Sequence, residues 1–412
     1  MSVTLFQRAT RWLCLLALPF GVVPEALGAA CTPSADDCSP FAWSATYTGE
    51  SWHLLRGGLA AAPSRGAYLD NLELTADVDG ERLFGVAGLQ FHAASLYNNG
   101  HGFSSVAVGD VQGISNIEAV PAARLYELWA EWQGRGGSSW RAGLYDLNSE
   151  FDAIETASLF VNPSHGIAPD FSQSGQNGPS IFPVAALAVR WRTQWKAWQW
   201  QLAALEGIPG NPSDPRRSGV RFTPGEGLLL VAEASREVGE ATRLAIGSWR
   251  YTSRFDHLTA QGFDGAPQRV AAGRGTYLLL EGPVPLGGRS ANGWRSFLRL
   301  GVADARVHAT GSYVGTGLVH EGGLLGRSGE SAGVALACAR SGRQWRQAFA
   351  ADGRAPARQE CNVELTWRLP VTSWLTLQPD LQYIEGVGYD RAARGTVAAG
   401  LRFEMTWPSE AE

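Results

Sequence analysis

Hydrophobic and polar residues alternate along residues 374–384, which read WLTLQPDLQYI. A period of two predicts a β-strand with one apolar and one polar face. The apolar positions are Leu375, Leu377, Pro379, Leu381 and Tyr383, and the polar positions are Thr376, Gln378, Asp380 and Gln382. In an ordinary sheet a second layer covers the apolar face, so the rest of the chain has to indicate what covers this one.

The same alternation recurs along most of the chain and predicts sixteen strands. Between Val397 and Trp407 the odd-numbered positions are apolar, and Arg402 and Glu404 lie on the opposite face. The predicted strands are residues 42–50, 68–79, 86–97, 123–133, 138–146, 184–193, 197–206, 226–236, 241–252, 274–284, 294–307, 312–321, 331–340, 361–369, 374–384 and 396–407. Between Phe297 and Val307 the phase of the alternation is ambiguous.

Short and long connections between these strands mostly alternate. The short ones are residues 80–85, 134–137, 194–196, 237–240 and 370–373. The long ones are residues 51–67, 98–122, 147–183, 207–225, 253–273, 341–360 and 385–395. This order is typical of an up-and-down antiparallel sheet with small turns at one end and large loops at the other. The region 308–330 departs from it, with a short loop and a long turn.

The apolar strand faces need a cover, and we identify no amphipathic helix in the sequence that could supply it. Stacked sheets covered by loops are one alternative. The simplest cover is lipid, because a closed barrel satisfies every backbone hydrogen bond without leaving a sheet edge in the membrane. The polar faces then line a water-filled interior, since side chains cannot fill a barrel this wide. The prediction is all-β: a transmembrane antiparallel β-barrel of sixteen strands, with short periplasmic turns and long extracellular loops.

Aromatic residues near the strand ends favour the membrane barrel over a soluble core. Barrels place amphipathic rings at both lipid–water boundaries. The residues in question are Trp140, Trp198, Trp367, Trp374, Tyr383 and Trp407.

The first 30 residues are typical of a secretory signal peptide. Arg8 and Arg11 precede a short apolar run, and Gly28-Ala29-Ala30 offers a cleavage site of small residues. We therefore divide the chain into a signal peptide (1–30), a periplasmic segment (31–41), a barrel (42–407) and a C-terminal tail (408–412). Arg8, Arg11 and Glu25 together carry +1, so their removal takes the net charge from −5 to −6. This acidity argues against a nucleic-acid partner.

Six segments, spread in order along the chain, carry a family resemblance. They are RLYELW at 124–129, GLYDLNSEFD at 143–152, NGPSIFP at 177–183, WRYTSRFD at 249–256, LTLQPDLQYI at 375–384 and LRFEMTW at 401–407. As a set, they resemble the carbohydrate-selective porin (OprB-type) family over residues 42–407. The resemblance implies a sixteen-stranded barrel in the bacterial outer membrane that passes sugars by diffusion. The tail 408–412 and the pair Cys31/Cys38 depart from the family pattern.

Catalytic motifs are scarce in this sequence. It has no G-x-S-x-G elbow, no H-E-x-x-H and no phosphate-binding glycine loop. Acidic residues cluster at Asp146, Glu150, Asp152 and Glu155. A glycosidase needs two carboxylates that flank a sugar bond, so a carbohydrate-active enzyme is an alternative. In a barrel, the same segment could instead fold inward and narrow the pore.

Charged and aromatic side chains on the inward face are candidates for selecting sugars. Arginine and carboxylate groups bind hydroxyls, and aromatic faces stack on C–H groups, but the binding must stay weak for the solute to leave. The candidates for the pore or substrate path are Glu127, Trp129, Glu131, Arg141, Asp146, Glu150, Asp152, Arg190, Arg192, Glu364, Arg368, Asp380, Arg402 and Glu404. For each, the alternative is a charge that only keeps the wall hydrated and paired.

Four cysteines follow the signal peptide, which fits two disulfides in an exported protein: Cys31, Cys38, Cys338 and Cys361. Zinc is a rival, but neither pair has histidine at ligand spacing. Cys338 shares the phase of Val334 and Leu336, and Cys361 shares that of Val363 and Leu365. If both apolar sets face lipid, Cys338 and Cys361 can meet across the ladder.

His165, in the longest loop, is the histidine of greatest interest, and a local hydrogen bond is its simplest role. We predict no metal and no cofactor. A general porin without sugar preference, a carbohydrate-active enzyme and an adhesive or structural outer-membrane protein remain alternatives to the sugar-selective porin. The sugar and the oligomeric state, monomer or trimer, stay open.

Overall fold

The strands form a closed antiparallel barrel in the computed structural model. The structure describes residues 39–407 apart from 101, 135, 218, 221–222, 224, 240, 287–288 and 323–326. The strands are β1 Phe41–Arg56, β2 Gly66–Asp79, β3 Leu89–Asn99, β4 Ala122–Gln133, β5 Ser138–Tyr145, β6 Ala186–Trp195, β7 Trp198–Glu206, β8 Leu228–Val238, β9 Thr242–Tyr251, β10 Phe255–Gln261, β11 Pro267–Val270, β12 Arg274–Leu286, β13 Arg289–Ala303, β14 Thr310–Glu321, β15 Ser331–Ser341, β16 Gln359–Pro370, β17 Leu375–Glu385 and β18 Thr396–Trp407.

All of these strands except β10 and β11 belong to the barrel, so the prediction of sixteen barrel strands is confirmed. Consecutive barrel strands pair throughout, and β18 closes the barrel against β1 with Trp407 opposite Ala45. Strands β10 and β11 form a separate hairpin in the long loop between β9 and β12, which the sequence pattern did not predict.

The helices lie in the connections. They are α1 Gly80–Phe84, α2 Pro169–Ser172 and α3 Arg343–Ala351. Over the described part of the chain, every helix is too short or too polar to cross a membrane. The search for amphipathic helices missed α3, a nine-residue helix in the loop after β15.

Two strands, β1 and β13, depart most from their predicted boundaries, and each has a physical reason. Strand β1 continues to Arg56 instead of ending at residue 50. In its last part the inward positions are apolar instead of polar, because Trp52 and Leu54 point into the barrel and are buried there. Strand β13 spans Arg289–Ala303 rather than 294–307. Its phase is ambiguous because Phe297 is buried inside the barrel, whereas Ser296 lies on the other face.

The outward face carries an apolar band between two aromatic girdles. In β18, outward positions run from Val397 to Trp407, and ten steps of about 3.3 Å tilted by about 40° span about 25 Å, the height of a barrel's apolar band. Exposed tryptophans lie at the short-turn ends of their strands: Trp43, Trp132, Trp140, Trp195, Trp374 and Trp407. Exposed tyrosines lie at the long-loop ends: Tyr68, Tyr97 and Tyr383.

Cys338 on β15 lies directly opposite Cys361 on β16, at the strand ends that meet the loop containing α3. Their Cα atoms are 4.1 Å apart and the S–S distance is 2.09 Å. Val334 and Leu336 are exposed on the same strand, so the disulfide lies on the outward face. The partners predicted for the second bridge, Cys31 and Cys38, lie outside the described residues.

We expect Cys338→Ser to lower the free energy of unfolding by about 3 kcal/mol, because the disulfide limits the freedom of the unfolded loop. Denaturant unfolding of oxidised and reduced protein measures the change. Mass spectrometry of non-reduced peptides tests the pairing itself. A Cys338 peptide found alkylated, or linked to Cys31 or Cys38, would contradict it.

Candidate solute path through the barrel

Residues 146–183, called the inner segment, fold into the barrel and cross it. Carboxylates on the wall hold the backbone amides of this segment at successive points. The bonds run from the Asp146 amide to Glu127 (2.9 Å), from Asp152 to Glu233 (3.0 Å), from Thr156 to Glu281 (2.8 Å), and from Val161 (2.5 Å) and Asn162 (3.0 Å) to Glu364. These glutamates lie on β4, β8, β12 and β16, around the circumference of the wall. The prediction that this segment folds inward is therefore confirmed.

Residues 103–121, after β3, also enter the barrel and pack on the inner segment. The Asn116 amide donates to the Val161 carbonyl at 2.9 Å. Asn162 donates a side-chain hydrogen bond to the Gly113 carbonyl at 2.6 Å. Glu360 on β16 accepts the amides of Val111 and Gln112 at 3.0 Å. Two inward segments, tied to each other and to the wall, thus fill part of the lumen.

Five charged residues join the beginning of the inner segment to the wall of β4, β5 and β6: Glu131, Arg141, Glu150, Arg190 and Arg192. Arg190 bridges both glutamates, at 2.9 Å to Glu131 and 2.7 Å to Glu150. Arg141 lies 2.6 Å from Glu131, and Arg192 lies 3.2 Å from Glu150. With three arginines and two glutamates, this cluster carries a formal +1.

Glu150 is the member of this cluster that the inner segment supplies, and its side chain is only 7 % exposed. Burial alone would raise the pKa of its carboxyl group. The attraction of Arg141, Arg190 and Arg192 outweighs burial and lowers the pKa to about 2. Glu150 is therefore ionised at neutral pH and serves as a shared counter-ion for three arginines.

A second buried cluster joins the inner segment to β13. Arg299 on β13 makes a bidentate pair with Asp152, at 2.8 and 2.6 Å, and contacts Asp170 at 2.8 Å. All three side chains are at most 1 % exposed. Gly301 makes room for them, because a Cβ atom there would lie 2.2 Å from the Asp170 carboxylate.

His165 is buried beside a third group, formed by Glu364 and Asp380. Its ring lies 5.0 Å from that of Phe160 and 5.7 Å from that of Phe297. The expected local hydrogen bond is wrong, since neither ring nitrogen has a partner among the described residues. Nε2 lies 3.9 Å from Glu364, and burial lowers the pKa of the imidazole to about 3. His165 is thus a neutral packing residue at physiological pH.

Another set of inward side chains is only partly covered. Exposed fractions of these side chains are 25 % for Arg192, 29 % for Arg243, 25 % for Arg295 and 26 % for Arg368. Arg402, at 11 %, pairs with Glu50 and donates to Asn116. Partly exposed acidic groups on the inward face are Asp77 on β2, Glu127 on β4 and Glu404 on β18. These inward side chains are therefore accessible to solvent.

The predicted path residues therefore divide into two groups. The buried ones, held by ion pairs, backbone amides or side-chain hydrogen bonds, are Glu131, Arg141, Glu150, Asp152, Arg190, Glu364 and Asp380. Partly exposed are Glu127, Asp146, Arg192, Arg368, Arg402 and Glu404. Trp129 is partly covered, since His92 stacks on its ring and the Arg141 guanidinium lies 3.7 Å above it. In the acidic cluster, Glu155 is exposed.

Several charged lumen residues escaped the sequence analysis. They are Glu50, Asp77, His92, Asp170, Glu233, Arg243, Glu281, Arg295 and Arg299. The available signal was a single charged residue inside an otherwise apolar strand, as in LLLVAEAS around Glu233 and LLLEG around Glu281. Asp170 had no such signal, because it lies in the irregular inner segment.

Within the described residues, no three His, Cys, Asp or Glu side chains are grouped closely enough to hold a metal ion. Many of the acidic groups described above are instead engaged by arginines and backbone amides. The main chemical feature of the described part of the barrel is therefore its charged interior.

Sequence comparison decides the family. The sequence model of the carbohydrate-selective porin, OprB family matches residues 64–407. This chain belongs to the carbohydrate-selective porin, OprB family. It is accordingly an outer-membrane porin that allows passive, carbohydrate-selective diffusion of sugars. That family is a class of channels and not a class of enzymes.

Individual relatives agree with this assignment. The OprB-family chain is 24% identical over 398 residues to Porin B of Pseudomonas aeruginosa, with 88% of this chain and 86% of the relative covered. The high-pH structure of Pseudomonas putida OprB superposes with a TM-score of 0.76 at 20% identity, covering 89% of this chain and 94% of the other. The outer-membrane channel DcaP of Acinetobacter baumannii gives 0.55 at 8% identity, covering 89% and 97%. The structural matches support the barrel fold.

Proposed function

We propose that sugars cross the barrel along the partly exposed charged side chains and do not contact the buried clusters. The observation that carries this proposal is the difference in exposure between neighbours on one strand face. On β6, Arg190 is fully buried and bound to two glutamates, whereas the side chain of Arg192 is 25 % exposed. The buried residues hold the inner segment, and the exposed ones are available to a solute.

The composition of this lining suits sugars. Arg192, Arg243, Arg295, Arg368 and Arg402 contribute guanidinium donors, and Asp77, Glu127 and Glu404 contribute acceptors. Hydroxyl groups donate and accept, so a sugar can exchange its hydration for contacts with both kinds of group. Each contact is exposed to water and therefore weak, which allows the solute to leave.

Liposome swelling tests the selectivity. We expect sugars to enter faster than amino acids of similar size, and Arg368→Gln to change the rate of sugar entry about two- to tenfold, the effect of one hydrogen bond of 0.5–1.5 kcal/mol. The matched control is Arg340→Gln, which removes an exposed arginine from the outward face. Equal rates for sugars and amino acids would indicate a general porin. An Arg368 variant that behaves like the parent would remove this residue from the path.

We also infer that the acidic cluster of the inner segment has a structural role and no catalytic one. Glu150 is bound by arginines, Asp152 by Arg299, and Asp146 accepts the Asn148 amide at 2.9 Å. A retaining or inverting glycosidase needs two carboxylates free to act on the same sugar bond. Product analysis after incubation with an oligosaccharide tests this, and released sugar would contradict it.

For the chain ends we retain the domain limits proposed from sequence. Residues 1–30 are assigned as a signal peptide and 31–41 as a periplasmic segment that leads into β1. Residues 408–412 are assigned as a tail that follows β18. N-terminal sequencing of the protein purified from outer membranes would show where the mature chain begins.

A further inference from the structure

Two arginines lie directly opposite each other on the outward face of the barrel. Arg250 on β9 pairs in register with Arg274 on β12, at the end of the barrel that carries the long loops. Both side chains are exposed. Like charges directly opposite on adjacent strands are destabilising, and a charge on the lipid-facing side is tolerated only near the membrane surface.

The described residues supply little negative charge to balance these two arginines. Arg274 lies 3.4 Å from Asp304, but Asp304 also makes hydrogen bonds of 2.9 and 2.6 Å to Arg306. The side chain of Arg250 has no hydrogen bond or ion pair with any described residue. Arg274 and Arg306 thus share Asp304, and Arg250 has no acidic partner among the described residues, which leaves an excess of positive charge at this rim.

An apolar groove begins at Arg250 and continues down the outward face. It has a volume of about 620 Å³. Its floor includes the small residues Ala204 and Ala232, and its far end lies between Trp140 and Trp191. The registers place Ser248, Ala232, Leu202, Trp191 and Trp140 in one row across five strands. Since Ser248 lies near the long-loop end of β9 and Trp140 near the short-turn end of β5, the groove descends from the membrane surface into the apolar band.

We propose that this site binds a phosphorylated glycolipid of the outer leaflet, with its phosphate on Arg250 and Arg274 and an acyl chain in the groove. Guanidinium groups bind phosphate with paired, charge-assisted hydrogen bonds. A phosphate placed between the two arginines also removes their mutual repulsion. A second barrel packed on this face would instead bury an excess of positive charge, which is costly.

Native mass spectrometry of the detergent-purified barrel tests the site. The probes are a phosphorylated lipid A and the same lipid with its phosphates removed. We expect the phosphorylated form to bind at least tenfold more tightly, and Arg250→Gln and Arg274→Gln each to weaken its binding about tenfold, the value of one charge-assisted hydrogen bond. The matched control is Arg340→Gln, because Arg340 is also exposed and is also the penultimate residue of its strand. It should bind like the parent.

Further measurements separate the parts of the site. Ala204→Phe fills the groove and should weaken lipid binding while both arginines remain. Inorganic phosphate should compete poorly because it has no acyl chain. Three results would overturn the proposal: equal binding of the two lipids, full competition by inorganic phosphate, or unchanged binding when Arg250→Gln and Arg274→Gln are combined. So would a trimer in solution that Ala204→Phe dissociates, since the groove would then be a contact between copies. Thermal unfolding in nonionic detergent checks that the variants are folded.

Discussion

Barrels that carry Glu150→Ala are expected to assemble and to conduct with an increased preference for anions. The substitution leaves Arg141, Arg190 and Arg192 with Glu131 as their remaining partner. Loss of one partner from a buried ion cluster costs about 3–5 kcal/mol, so the start of the inner segment should loosen. Other wall carboxylates still hold the segment further along. Reversal potentials in planar bilayers measure the ion preference.

The control for this variant is Glu155→Ala, five residues further along the same segment. Glu155 is exposed, so its removal changes the charge of the segment by the same amount without opening a buried cluster. We expect the control to keep nearly the selectivity of the parent. If both variants shift the reversal potential equally, the charge of the lumen decides selectivity and the cluster around Glu150 does not.

Acidification of the parent protein should remove the stabilisation that the ionised Glu150 carboxylate provides. The pKa of Glu150 falls from 4.5 to about 2 on folding, which corresponds to about 3 kcal/mol of stabilisation. Because the pKa is lowered, this contribution is fully present above pH 4.5 and is lost as the pH falls through 2. The difference in stability between parent and Glu150→Gln should shrink over the same range. A difference that does not change between pH 6 and pH 2 would contradict the assignment.

Replacement of Arg299 by methionine is expected to lower the free energy of unfolding by about 3–5 kcal/mol, because it leaves two buried carboxylates without their cation. Asp152 and Asp170 are both fully buried and come from different parts of the inner segment. Arg299 therefore ties two points of that segment to β13. Denaturant unfolding in detergent, followed by tryptophan fluorescence, measures the loss.

Two comparisons separate this effect from a simple change of charge or size. Arg295→Met removes an arginine from the same face of β13, but that side chain is 25 % exposed, so the loss should be below about 1 kcal/mol. Adding Asp152→Asn and Asp170→Asn to Arg299→Met removes the uncompensated charges and should recover much of the stability. If Arg295→Met costs as much as Arg299→Met, the buried cluster is not the cause.

The barrel could be predicted because lipid imposes a rule that acts within each strand. An outward side chain must be apolar, so the odd positions of β18 from Val397 to Trp407 show their direction without reference to any other strand. The converse, that an apolar side chain must point outward, fails where protein replaces water inside the barrel. Trp52 and Leu54 point inward in β1 because residues of the 103–121 segment, such as Phe103 and Ile117, cover them.

Sequence alone determined the number of barrel strands, the inward and outward faces of most of them and the facing positions of Cys338 and Cys361, because each follows from local alternation or from neighbouring strands. Tertiary structure decided which inward charges are buried. Arg190 and Arg192 have the same phase and similar surroundings in sequence, yet Glu150 covers the first more completely than the second. Arg299 meets Asp152 across 147 positions of the chain. The path of the inner segment through the lumen sets these contacts, and no local periodicity encodes that path.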